Sequence, residues 1–144
     1  AVVDLTDLLT DPVDVLFATQ LGGGTDINRA LAYCQTRIDR PSETTLILIS
    51  DLYEGGNAAE LVKRVAQLVQ SGVTVIALLA LNDDGAPAYH HELAQRFATL
   101  GAPAFACTPD LFPDLMAAAL QKQDIPSWAS TQGIVQAGPT QKMA

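Results

Sequence analysis

The chain has 144 residues, of which 49% are hydrophobic, and its 8 basic and 16 acidic side chains leave a formal net charge of −8. That length fits one domain and is enough to bury a sizeable core. The acidic surplus, with basic residues scattered rather than clustered, argues against nucleic acid and against anionic membrane surfaces. No apolar run approaches the roughly 20 residues of a membrane span, and no basic residue precedes the first apolar stretch as in a signal peptide. Cys34 and Cys107 form neither a metal spacing nor a disulfide framework and read as reduced thiols, which predicts a cytoplasmic protein.

In chain order, Ala1 to Leu5 reads as a strand, and Asp11 followed by Pro12 starts a helix through Val13 to Gln20. After Gly22, Gly23 and Gly24, Thr25 is the natural N-cap of an amphipathic helix from Asp26 to about Arg37. Its apolar face carries Ile27, Ala30, Leu31, Cys34 and Ile38. Thr44 to Ser50 and Val73 to Leu81 are unbroken apolar runs, the pattern of neighbouring strands buried on both faces of a parallel sheet. Between them Ala58, Leu61, Val62, Val65, Leu68 and Val69 recur at helical spacing, with Asn57 as cap and Gly72 as stop. This is a βαβ unit. His90 to Leu100 forms the next helix, ended by Gly101, and a short strand follows from about Ala104 to Cys107. A last helix opens at Pro109 or Asp110 and runs to about Gln121. Beyond Gln123 the periodicity disappears, so the chain divides into an α/β domain over 1–122 and a tail or linker over 123–144, with Trp128 docked.

Ligands of such layered sheets gather at the carboxyl ends of the strands. Asp51 directly follows the run TTLILIS and therefore projects from that end, where a carboxylate wants a cationic partner such as a metal ion. The competing reading is an aspartate that caps the turn DLYEGG. Gly22, Gly23 and Gly24 let the backbone approach a ligand, with the Thr25 hydroxyl and Asp26 beside them. The spacing is neither a dinucleotide fingerprint nor a P-loop, and a flexible loop with a capping threonine is the alternative. His90 and His91 point about 100° apart on a helix and cannot share a metal; they read as surface residues. Cys34 and Cys107 read as core residues, and Asp83, Asp84 and Gly85 as a turn whose position at a strand's carboxyl end leaves a minor role at the site open. No nucleophile and base stand at catalytic spacing.

The pair formed by GGGTD at 22–26 and LILISD at 46–51 resembles the von Willebrand factor type A (VWA) domain. The phrases SDLYEGG, LLALNDDGAP and ACTPD narrow the resemblance to its bacterial cytoplasmic branch, the CoxE-like proteins that work beside MoxR-type AAA+ ATPases. The resemblance implies a Rossmann-like, mostly parallel sheet flanked by helices. It also implies a metal-ion-dependent adhesion site (MIDAS) built from an Asp-x-Ser-x-Ser on the first strand, a helix-opening threonine and an aspartate ending the fourth strand. Thr25 matches the second element and Asp51 the third, with Gly22, Gly23, Gly24 and Asp26 as the supporting loop. Mg²⁺, or Mn²⁺ or Ca²⁺ in its place, would use such oxygen ligands and leave one position for an acidic group of a partner protein.

No Asp-x-Ser-x-Ser occurs in these residues: Asp4-Leu5-Thr6-Asp7-Leu8 offers Asp4 and Thr6 but ends in leucine. Ala1 to Leu5 is therefore expected to be the family's third strand. The first two strands and their helix would lie upstream of residue 1, between that strand and Thr44 to Ser50 in the order 3-2-1-4-5-6, so that the site is incomplete in this chain. The expected function is a non-enzymatic, metal-dependent interaction module whose partner is a protein with an acidic group, a MoxR-like AAA+ ATPase in particular. Two rivals remain: a phosphoacceptor or phosphohydrolase-like domain with Asp51 as nucleophile, and a VWA-like scaffold with a degenerate metal site.

Overall fold

The structure, a computed structural model, describes residues 2, 4–8, 26–53, 57–79, 90–106, 109–133 and 136–137. Its sheet follows chain order: β1 (Thr45–Ser50), β2 (Thr74–Leu79) and β3 (Ala104–Ala106) run parallel, and β4 (Gln136–Ala137) closes the far edge antiparallel to β3. The helices are α1 (Ile27–Thr36), α2 (Ala58–Ser71), α3 (His91–Thr99), α4 (Phe112–Leu120) and α5 (Ile125–Thr131). The βαβ unit expected from the two apolar runs is β1–α2–β2, paired from Thr45 opposite Thr74 to Ser50 opposite Leu79.

Strand periodicity divides the core into two layers. Val75, Ala77 and Leu79 of β2 face a cluster containing Leu31 of α1, Leu61 and Val65 of α2 and Phe97 of α3. Ile76 and Leu78, on the other face, join Phe105, Leu115 and Ala118 of α4, and Ile125 and Ala129 of α5. β2 is thus covered on both sides, as its unbroken apolar sequence requires. β1 differs. It is the sheet's outer strand among the described residues, it is half-buried through most of its length, and Ile49 is 69% exposed. Its equally apolar sequence predicts full burial, and the difference goes with the fact that only one of its edges is paired among the described residues.

The local signals explain most of the helix ends. Asn57 caps α2 by accepting from the Glu60 N–H at 3.0 Å, and its side-chain amide donates to the Glu60 carboxylate at 3.1 Å. Gly72 ends α2 with φ of 109°, a left-handed conformation that L side chains rarely adopt and that glycine takes without strain. Two caps differ from expectation. α1 is capped by Asp26, whose carboxylate accepts from the Arg29 N–H at 2.9 Å, so the capping role expected of Thr25 belongs to its neighbour. α3 is capped by His90, whose Nδ1 accepts from the Leu93 N–H at 3.1 Å.

The two ends of the chain also differ. Val2, Asp4 and Leu5 are in no strand, and Thr6–Leu8 forms a short 3-10 turn. A short apolar start does not distinguish a strand from a coil whose polar groups satisfy one another: Asp4 Oδ1 accepts from the Thr6 N–H at 2.9 Å and from its hydroxyl, and Oδ2 accepts from the Tyr33 hydroxyl at 2.6 Å. At the other end, where a tail was expected, Asp124 caps α5 and buries Ile125 and Ala129, with Trp128 packed against the same cluster, and β4 pairs with β3. The expected helix at 13–20, the turn at Asp83 to Gly85 and Cys107 lie outside the described residues.

The hydrogen bonds from Thr6, and then from Tyr33, hold the Asp4 carboxyl down at about 2, below its ordinary 3.8. The stabilising contribution is therefore present above pH 3.8 and is lost as pH falls through about 2. Tyr33→Phe should move the Asp4 titration midpoint, followed by carboxyl-carbon NMR, upward toward 3.8. An unmoved midpoint would show that the Tyr33 bond is not formed in solution.

Candidate metal-site aspartate at the carboxyl end of the sheet

β1 ends at Ser50, and the next three residues turn sharply. Leu52 adopts φ of 63°, in the left-handed region, yet its side chain is completely buried in the cluster shared by α1, α2 and α3. A left-handed conformation costs a non-glycine residue roughly 1–2 kcal/mol. Burial of a leucine contributes about 1.5–3 kcal/mol, enough to hold it there. Two side-chain to backbone bonds brace the turn: the Leu52 N–H donates to Ser50 Oγ at 2.9 Å, and the Tyr53 N–H donates to Asp51 Oδ1 at 3.0 Å. With Leu52 drawn inward, Asp51 is exposed at the strand's carboxyl end, as the sequence predicts.

The turn is tied to the next loop as well. The His90 N–H donates to the Asp51 carbonyl at 2.8 Å, and the His90 ring meets the Tyr53 ring edge-on with centroids 5.4 Å apart. Sequence reasoning treated His90 as a surface residue. Its position directly before a helix was the available signal, since an imidazole nitrogen can cap as an aspartate oxygen does.

Of the expected site residues, the structure describes Asp51 and Asp26; Thr25, Gly22, Gly23 and Gly24 lie outside the described residues. Asp26 sits at the head of α1, and the residue after it, Ile27, is buried in the same cluster as Leu52. α1 is also pinned to α2: Arg64 donates from Nε to Asn28 Oδ1 at 2.9 Å and from Nη1 to Gln35 Oε1 at 2.5 Å, spanning two turns of α1. Asp51 has the chemistry of one oxygen ligand, with Oδ1 oriented by a backbone N–H and no cation paired to the carboxylate among the described residues. Those residues contain no group of three or more His, Cys, Asp or Glu side chains able to hold a metal ion. Cys34 is a free, partly buried thiol, with burial pushing its pKa up, which suits the packing role expected of it rather than a nucleophile.

A parallel sheet between two helical layers, with a braced aspartate at the carboxyl end of a strand, is the architecture of a VWA domain. The chain belongs to the family described as VWA domain containing CoxE-like protein, whose model matches residues 1–116. It is similar to YehP of Escherichia coli (strain K12), described as an uncharacterized protein, with 41% identity over 121 residues. The match covers 84% of this chain and 32% of YehP, so the chain spans about a third of the length of that relative. No solved structure matches the chain significantly. No helix among the described residues is long and apolar enough to cross a membrane.

The left-handed turn predicts an inverted order of substitutions. Leu52→Ala keeps the unfavourable φ and loses the buried side chain, at a cost of roughly 2–5 kcal/mol. Leu52→Gly loses the same contacts but relieves the backbone, and should be less destabilised by about 1 kcal/mol in urea unfolding. An alanine variant more stable than the glycine variant would mean that the turn relaxes to φ < 0 in solution.

Proposed function

We propose that the chain is a non-enzymatic protein-interaction module of MIDAS type, in which Asp51 and Thr25 contribute oxygen ligands to a Mg²⁺ ion and an acidic group of a partner protein occupies a remaining coordination position. The observation that carries this reading is the Ser50–Tyr53 turn, which spends a buried left-handed leucine to present at the end of a strand a carboxylate with no cation paired to it among the described residues. The capping of α1 by Asp26 adds support, because the helix start does not require the Thr25 hydroxyl. A hard divalent cation with two such donors keeps several waters and accepts carboxylate oxygen readily. A bound divalent cation would supply Lewis acidity there; the chain's own part is to orient Asp51 through Tyr53 and to hold that turn through His90.

The remaining donors, on this reading, lie on a strand that pairs with the outer edge of β1, where the family's Asp-x-Ser-x-Ser strand is expected. The partial burial of β1 and the exposure of Ile49 support that position. The proposed partner is a MoxR-like AAA+ ATPase, and the proposed setting is the cytoplasm.

An immobilised MoxR-type ATPase should retain the chain in millimolar Mg²⁺ and release it in EDTA, and Asp51→Ala should be retained no better than the EDTA control. Equal retention in all three conditions would remove the metal from the account. If acetyl phosphate added a phosphoryl group to wild type but not to Asp51→Ala, seen by intact mass, the phosphoacceptor reading would replace it.

A further inference from the structure

We draw no further inference here: the strongest candidate, the outer edge of β1, open among the described residues beside a cavity of about 480 Å³ between α1 and the segment around Asp4, carries nothing of its own, because nothing in the structure shows what covers it beyond the strand that the proposed metal site already includes.

Discussion

The carboxyl end of the sheet is organised by the burial of Leu52 on a left-handed backbone. β1 delivers the chain to the edge of the core at Ser50, and the next apolar side chain has to turn back under α1 and α2 within two residues. The Ser50 hydroxyl and the Asp51 carboxylate accept the N–H groups that this reversal frees, so no polar group is sacrificed to it. Because the Asp51 carbonyl also accepts from His90, the position of α3 is linked to the position of the aspartate.

The second constraint is the edge of β1. A strand reading Thr-Leu-Ile-Leu-Ile-Ser has neither the charge, the proline nor the bulge by which proteins protect an exposed edge. Residues on its two faces enter both core clusters, Leu46 and Leu48 on one and Ile47 on the other, yet none is fully buried. The strand is built for the interior of a wider sheet. On the proposed reading, the strand that would cover the β1 edge is also the one that carries the remaining ligands.

Much of this was legible in the sequence, for reasons that separate the successes from the failures. β1, β2 and α2 were readable because apolar runs and 3.6-residue periodicity report burial, and because Asn57 and Gly72 are unambiguous punctuation. Asp51 was readable because the strand ends where its apolar run ends. The N-cap of α1 was misplaced by one residue because threonine and aspartate can both cap and stand side by side, and aspartate is the stronger of the two. The α5 helix was missed because seven residues beginning Ile-Pro carry too little periodicity; its stability comes from docking Ile125, Trp128 and Ala129, a tertiary effect. Likewise the left-handed Leu52 and the capping role of His90 depend on what surrounds them, and a one-dimensional pattern does not record that.

The central claim is that Asp51, at the head of this turn, is a metal ligand. It is tested most directly by adding Mn²⁺, a paramagnetic substitute for Mg²⁺, to the isotope-labelled chain and mapping which amide resonances broaden, since even weak and partial coordination leaves that mark. The account predicts broadening centred on Asp51, Leu52 and Tyr53, extending to His90 and to the Thr25–Ile27 segment, and abolished at those positions in Asp51→Asn. Broadening spread over unrelated acidic residues such as Asp114 and Asp124, or the same pattern with and without the Asp51 carboxylate, would contradict it.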